Sequence, residues 1–154
     1  MVWKPHVTVS AVIENEGKFL VVEETVHGRN VFNNPAGHLE EAESLHDAII
    51  REVQEETAYT FKPDAITGIY LWRSPTSDKT FLRVNFCGAC NGHDPQQALD
   101  DGILRAVWLT GAELAVEAGR LRSPLVLRCI DDYLAGTRHP LTLLTHLDSD
   151  ETPF

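Results

Sequence analysis

The sequence predicts an α+β fold in one domain, and three observations support this. The chain has 154 residues, enough for a single hydrophobic core. Hydrophobic residues make up 43% and charged residues 23%, close to the averages of globular proteins. Strand-like and helical patterns mix without the regular strand–helix–strand alternation of a doubly wound sheet. We expect residues 1–145 to form the domain and 146–154 an acidic tail whose composition allows it to be mobile.

The first half of the chain predicts a hairpin, a loop and a helix. The apolar runs HVTVSAVI and FLVVEET are typical of strands, and a turn at residues 15–17 joins them. The stretch VHGRNVFNNPAG is rich in Gly and Asn and is predicted to be a loop. A helical pattern then covers residues 44–57.

The second half predicts three strands and two helices. The strands are expected at residues 66–73, 81–89 and 105–109. The helices are expected at residues 112–118 and 123–135. Pro124 lies early in the second of these helices and Gly136 just past its end, which are the favoured positions of those two residue types.

The net charge of -10 argues against a protein that binds a nucleic acid polymer through a broad basic surface. A small phosphorylated molecule can still be bound by a few local cations or by metal ions. The chain has no apolar run near the roughly 18 residues of a membrane-spanning helix and no signal-peptide pattern. We therefore expect a cytoplasmic protein with a small-molecule partner and no membrane contact. Nothing in the sequence indicates an oligomeric state.

Three cysteines are too few, and odd in number, for a disulfide framework, which agrees with a reducing compartment. Cys87 and Cys90 form a C-x-x-C pair at the end of a strand-like run. A redox or zinc role is weighed against ordinary small buried residues. Because the chain has no second such pair, the second interpretation is preferred.

The predicted helix at 44–57 places carboxylates on its core-facing side. At about 100° per residue, one face carries Leu45, Ala48, Ile49 and Val53. Glu52 and Glu56 project within this apolar stripe, and Glu55 lies beside them. Where water is partly excluded, two carboxylates about 5 Å apart repel by about 3 kcal/mol at an effective dielectric constant of 20. This repulsion favours a bound cation.

Oxygen-only ligands suit a hard cation such as Mg²⁺, with Mn²⁺ as a substitute. The alternative is a solvated acidic face, on which each like-charge pair costs only about 0.2–0.5 kcal/mol. The residues alone leave both interpretations open.

The stretch GHLEEAESLHDAIIREVQEETAY, residues 37–59, resembles the Nudix box. That pattern reads Gly, five residues, Glu, seven residues, Arg-Glu, an apolar residue, any residue, Glu-Glu, any residue, Gly and an apolar residue. Seven defined positions match, namely Gly37, Glu43, Arg51, Glu52, Val53, Glu55 and Glu56. Ala58 departs from the pattern, which has Gly there. If this position is a left-handed helix cap, the Ala costs about 1–2 kcal/mol without removing a metal ligand.

The resemblance implies a Nudix-type α/β/α sandwich with a mixed β-sheet and a catalytic loop–helix–loop. It implies that Glu52, Glu55, Glu56 and the backbone carbonyl of Gly37 bind a divalent metal. Arg51 is implied to orient these carboxylates, with Glu43 as its partner.

The residue that accepts a proton from water is not settled by the box. Glu55 is the first candidate, and Asp100, Asp101, Glu23 and Glu24 are candidates outside the helix. Many relatives carry an acidic helper where this chain has Gly102. Two interpretations stay open: Asp100 or Asp101 substitutes for this helper, or the site does without it.

Further segments resemble the NudJ-type bacterial phosphatases of this family. These segments are KPHVTVSAVIENEGKFLVVEET, NNPAGHLE, FLR, RSPL and HPL. The resemblance implies release of orthophosphate from nucleoside tri- and diphosphates and from hydroxymethylpyrimidine pyrophosphate. Two alternatives are a Nudix pyrophosphatase acting on ADP-ribose, sugar nucleotides or oxidised deoxynucleotides, and a nucleotide-sensing module without hydrolysis. Such modules usually lack box glutamates, which are present here.

Substrate-binding candidates come from cations and aromatic rings outside the box. Arg83, Lys79 and His38 are candidates to contact phosphate, weighed against surface or structural roles. Phe32, Trp72 and Trp3 are candidates to stack on a planar base. Core packing is expected for at least two of the three rings.

Overall fold

The computed structural model describes residues 1–147. The predicted tail at 146–154 therefore lies almost entirely outside the described residues. The strands are β1 (His6–Asn15), β2 (Lys18–Val26), β3 (Arg29–Asn33), β4 (Ala36–His38), β5 (Tyr59–Arg73), β6 (Thr80–His93) and β7 (Ile103–Thr110). The α-helices are α1 (Leu45–Thr57), α2 (Gly111–Val116) and α3 (Leu125–Leu134), and short 3₁₀ turns cover Ala118–Arg120 and Leu141–Leu143.

Strand β1 organises a mixed sheet. It runs parallel to β6 from His6 paired with Phe81 to Ile13 paired with Gly88. On its other side it pairs antiparallel with β4. Strand β6 forms a long antiparallel hairpin with β5, while β2 pairs antiparallel with both β3 and β7. The α+β class is confirmed.

Helices cover both faces of this sheet because the side chains of β1 alternate in direction. Val9, Ala11 and Ile13 pack in one core cluster with Ala48, Ile49 and Val53 of α1. Val12 belongs to a second cluster with Leu114 of α2 and with Cys129 and Ile130 of α3. The α/β/α sandwich is therefore confirmed, with the Glu-rich helix on one side and α3 on the other.

Two elements differ from the sequence prediction. The predicted loop contains β3 and β4, which are only five and three residues long and gain their backbone hydrogen bonds from β2 and β1. Such short strands carry too little alternation to be read from sequence. Strand β5 begins at Tyr59 rather than near residue 66, and register shifts on either side of Pro63 accommodate this proline within the strand.

The predicted helices are present with small changes at their ends. Helix α2 ends at Val116, followed by the first 3₁₀ turn, and α3 spans Leu125–Leu134. Gly136 has a φ of 84°, which allows the chain to leave α3. Within residues 1–147, no helix is both long and apolar enough to cross a membrane.

Candidate metal centre and adjoining cavity

The local geometry of α1 places its glutamates. The Ser44 hydroxyl accepts a hydrogen bond from the backbone N–H of Asp47 and caps the first turn. At the other end Ala58 has a φ of 61°, and its N–H donates to the Gln54 carbonyl. The expected left-handed cap is therefore present, occupied by Ala. Glu52 and Glu56 are only 8% and 6% exposed, so the predicted inward projection is confirmed.

Arg51 links the carboxylates through a fork of hydrogen bonds. Its Nε and Nη2 donate to the two oxygens of Glu43 at 2.9 and 2.6 Å. Its Nη1 donates to Glu52 at 2.8 Å and to Glu55 at 3.2 Å. Nη2 also donates to the backbone carbonyl of His38 at 3.1 Å. The hydrogen bonds from Arg51 hold the pKa of Glu43 below its usual value. The expected pairing of Arg51 with Glu43 is confirmed.

Backbone groups before α1 approach its two buried carboxylates closely. The N–H of Ala36 donates to Glu56 Oε1 at 2.8 Å. A Cβ atom added to Gly37 would lie 2.1 Å from Glu52 Cδ, so the absence of a side chain permits this approach. Strand β4 and helix α1 are thereby fitted together around the glutamates.

Burial and mutual repulsion keep these two carboxylates difficult to ionise. Desolvation raises the pKa of Glu52, although Arg51 opposes the shift. Desolvation raises the pKa of Glu56 to about 9, with additional repulsion from Glu52, Glu24 and Asp100, while the Ala36 hydrogen bond opposes it. A cation between these groups would remove the repulsion.

Asp100 reaches the site through a loop anchored on the C-terminal turn of α1. Its N–H donates to the Glu55 carbonyl at 3.0 Å, and the Gln97 amide donates to the Gln54 carbonyl at 2.6 Å. Carboxylate oxygens of Glu52, Glu55 and Asp100 all lie within 4.8 Å of one another. Three clustered oxygen ligands fit a hard divalent cation.

Two of the other candidate bases have structural partners. Glu23 accepts hydrogen bonds from Arg105 and Arg120, which hold its pKa below the usual value. Glu24 lies 3.6 Å from Arg122, and desolvation raises its pKa. Asp101 is exposed in the turn before β7 and lies outside the carboxylate cluster found in the described residues.

A cavity of about 900 Å³ lies against the α3 side of the sheet, and its lining does not include Glu52, Glu55, Glu56 or Asp100. Ala36 and Gly37, which contact Glu56 and Glu52, form part of its wall. The functional candidates that line it are His38, Trp72, Arg83, Glu24 and Asn33. Asn33 is the first residue of the segment NNPAGHLE, but the sequence predicts no role for it and does not predict the cavity.

Aromatic side chains form one wall of the cavity. Trp72 is half-buried and stacks on Phe81, with ring centroids 5.9 Å apart. His38 is exposed and lies 6.5 Å from the same Phe81 ring. Partial burial lowers the pKa of His38, and nearby His6, Lys79 and Arg83 lower it further.

Other sequence candidates lie elsewhere. Phe32 is 2% exposed in the core, and the Arg120 guanidinium covers its ring at 4.8 Å, so the expectation that it stacks on substrate is wrong. Trp3 is 68% exposed near the N-terminus. Core packing thus holds for one of the three rings and not for two. Lys79 is exposed in the turn between β5 and β6 and does not line the cavity.

The C-x-x-C cysteines are buried or half-buried thiols rather than a reactive pair. Cys87 and Cys90 are free, and their odd spacing on β6 directs them to opposite faces. Desolvation raises the pKa of both, to about 12 for Cys90. A raised thiol pKa opposes redox or zinc chemistry, as preferred from the sequence.

Comparison with known proteins shows the family of this chain. The NUDIX domain model matches residues 4–128. Relatives called Phosphatase NudJ, from Escherichia coli K12 and Shigella flexneri, are 43% identical over 143 residues, 92% of this chain and 92% of each relative. The structure of a NUDIX hydrolase from Nitrosomonas europaea aligns with a TM-score of 0.94 at 46% identity, over 95% of this chain and 99% of that one.

A UDP-X diphosphatase aligns with a TM-score of 0.73 at 18% identity, over 91% of this chain and 68% of that one, and shares the fold. The matched family model and the curated relatives together establish the assignment. The chain belongs to the Nudix family and is a Nudix hydrolase.

Proposed function

We propose that the protein hydrolyses phosphoanhydride bonds in nucleoside tri- and diphosphates and in hydroxymethylpyrimidine pyrophosphate, with Mg²⁺ as cofactor and orthophosphate as product. The carboxylate cluster of Glu52, Glu55 and Asp100, beside a cavity of about 900 Å³, carries this proposal. Similarity to relatives called Phosphatase NudJ favours cleavage of a terminal phosphate over release of pyrophosphate.

In this proposal Glu52, Glu55, Glu56 and the Gly37 carbonyl hold Mg²⁺, and Asp100 supplies the ligand that the sequence lacks at Gly102. Mn²⁺ is a substitute with similar ligand preferences. When bound, the metal ion acidifies water and neutralises charge on the phosphate groups. The carboxylates of Glu52 and Glu56 are held ready for it by Arg51 and by the N–H of Ala36, respectively.

Glu55 is proposed to accept the proton of the attacking water. It is half-buried, lies in the carboxylate cluster and receives only a 3.2 Å hydrogen bond from Arg51. Glu24 is the competing base, because it lines the cavity and Glu55 does not. The variants Glu55→Gln and Glu24→Gln distinguish these candidates. Loss of the residue that acts as the base should lower kcat far more than loss of a neighbouring charge.

The planar group of the substrate is proposed to lie against Trp72, with His38 and Arg83 near its phosphates. Trp72 already stacks on Phe81, which holds the indole in place. A small phosphorylated metabolite fits this cavity, and a reducing cytoplasm fits the free thiols.

The test is incubation with GTP, GDP, ADP-ribose and hydroxymethylpyrimidine pyrophosphate, each with and without Mg²⁺, followed by identification of products. We expect Mg²⁺-dependent orthophosphate from all but ADP-ribose. Cleavage of ADP-ribose, or release of pyrophosphate from GTP, would instead support the pyrophosphatase alternative. Tight nucleotide binding without turnover of any compound would support the sensing module.

A further inference from the structure

Among the buried side-chain atoms of residues 1–147, two polar atoms have no hydrogen-bond partner. They are Arg83 Nη1 and Asn33 Oδ1. Their residues are only 8% and 7% exposed, and both line the cavity beside the glutamates. Folded proteins pair nearly all buried polar groups because an unpaired one is costly. Arg83 Nη1 is a donor and Asn33 Oδ1 is an acceptor. A ligand that pairs with both must therefore offer one acceptor and one donor.

Arg83 is a buried cation without a carboxylate partner. Its Nε donates to the neutral Thr8 hydroxyl at 3.2 Å, and Thr8 is its neighbour across the β1–β6 ladder. Within the described residues no carboxylate oxygen lies within 4.0 Å of its guanidinium. Glu56 and Glu24 attract Arg83 only from a distance, so an anion that bonds directly to the guanidinium would offset more of its desolvation.

Asn33 lies on β3 and lines the cavity together with Glu24. Desolvation raises the pKa of Glu24, and an interaction with Asn33 opposes that shift. Asn33 Oδ1 has no partner within residues 1–147, so it is a buried acceptor that a ligand donor can satisfy. Glu24 is itself restrained by Arg122 at 3.6 Å.

We infer that Arg83 and Asn33 form a phosphate-recognition subsite that acts independently of the metal, an inference that rests on the hydrolase function proposed above. Arg83 Nη1 donates to an anionic phosphate oxygen, and Asn33 Oδ1 accepts a hydrogen bond from the same ligand. The ligand class is a small phosphorylated compound with a donor hydrogen near the phosphate. That hydrogen comes either from a protonated phosphate oxygen or from an N–H or O–H of the organic part.

Arg83 is tested by calorimetric titration of inorganic phosphate and of GMP into protein kept metal-free with EDTA. Arg83→Gln is expected to weaken binding of both about 10- to 150-fold, the range for a hydrogen bond to a charged group. Arg83→Lys should recover part of this loss, because lysine keeps the positive charge but lacks the planar set of N–H donors of a guanidinium. Arg73→Gln is the control, since Arg73 is exposed and pairs with Asp78 away from the cavity.

Equal phosphate affinity of wild type and Arg83→Gln, or no binding by metal-free wild type, overturns the subsite. With Mg²⁺ and substrate, Arg83→Gln should raise KM and leave kcat within about threefold, because this contact is made before and during the reaction alike. A fall in kcat alone would contradict a binding role. Because the titrations involve no turnover, an intact anion site in a protein that hydrolyses nothing would sink the proposed function separately.

Asn33 is tested with Asn33→Leu, which is similar in size and lacks the acceptor. Weaker binding of both phosphate and GMP supports a donor on the phosphate itself. Weaker binding of GMP alone supports a donor on the organic part. Unchanged affinity for both ligands overturns the role of Asn33.

Discussion

At the scale of single residues, Gly37 leaves no room for a side chain beside Glu52. Replacing Gly37 with Ala would place a methyl carbon 2.1 Å from Glu52 Cδ, far inside contact distance. The carboxylate must then move, while the hydrophobic core is untouched. We expect Gly37→Ala to lower kcat about 10- to 100-fold, as loss of a metal-orienting group does, measured by phosphate release under saturating Mg²⁺.

Gly119→Ala is the matched control for this change. A Cβ on Gly119 would meet nothing within 4 Å, and its φ lies outside the left-handed range. Its activity and melting temperature should equal those of wild type. If Gly37→Ala retains wild-type turnover, Glu52 is not the ligand that its position indicates.

For Glu56 we predict that removing the carboxyl group raises the stability of the metal-free protein and abolishes its activity. Its pKa of about 9 in the folded state exceeds its ordinary value of 4.5, mainly through desolvation. Folding therefore favours the protonated form, and this stability is present below pH 4.5 and lost as pH rises through 9. In EDTA at pH 8, Glu56→Gln should raise the free energy of unfolding by on the order of 1–3 kcal/mol while abolishing turnover.

The amide oxygen introduced by Glu56→Gln can still accept a hydrogen bond from the Ala36 N–H, so the substitution removes the titrating group but not the hydrogen bond. Urea denaturation at pH 5 and pH 8 measures the effect. Glu55→Gln, at a half-exposed site, should change stability little at either pH. A Glu56→Gln variant less stable than wild type at pH 8 would contradict a strained, buried carboxylate.

Residues differ in how well the sequence revealed them. The three glutamates and Arg51 could be predicted because one helix sets their spacing. Asp100 was only one of several candidates, since its approach depends on backbone bonds from a loop to Glu55 and Gln54. Phe32 was misread because aromatic identity does not distinguish a core ring from a binding surface. Asn33 was missed because its meaning lies in an unpaired atom, which only coordinates reveal.

At the scale of elements, α1 ends in a conformation that suits glycine better than alanine. Ala58 adopts a φ of 61° and is 5% exposed. Ala58→Gly relieves the steric cost of the left-handed region but loses one buried methyl group and adds freedom to the unfolded chain. We expect a net stabilisation of no more than about 0.8 kcal/mol, with activity unchanged.

Ala112→Gly is the control for this cap, because Ala112 lies in α2 and has no positive φ. There the same substitution should destabilise the protein by up to about 1 kcal/mol. Both variants are compared by thermal denaturation at one metal concentration. Destabilisation by Ala58→Gly would mean that packing of the Ala58 methyl outweighs backbone strain.

Most elements could be predicted from sequence because their hydrophobic residues recur with a clear helical or strand period. The prediction failed where only hydrogen bonding to a neighbouring strand defines a strand. Helix α1 was predicted to within a residue, since Ser44 caps one end and the apolar stripe defines its face. Strands β3 and β4 were read as loop, because their regularity comes from β2 and β1 rather than from their own residues. That segment carries Asn33, Ala36 and Gly37, so the missed strands also shape the cavity.

At the scale of the whole molecule, the chain has a net charge of -10, and the cluster of Glu52, Glu55 and Asp100 adds local repulsion that a bound cation would relieve. A ligand that binds only the folded state stabilises it by RT ln(1 + [L]/Kd), about 2.7 kcal/mol at 100 times Kd. Mg²⁺ at that excess should raise the melting temperature by about 5–10 °C relative to EDTA, the shift expected for a domain of this size.

Differential scanning calorimetry measures this shift, with KCl at matched ionic strength to remove general screening of the acidic surface. Glu52→Gln and Asp100→Asn should each lose most of the Mg²⁺-dependent increase. Asp101→Asn should retain it, because Asp101 lies outside the cluster. An equal increase in Asp100→Asn and Asp101→Asn would remove Asp100 from the metal centre. An equal increase with KCl would show that Mg²⁺ acts on the surface charge of the whole domain and not at these glutamates.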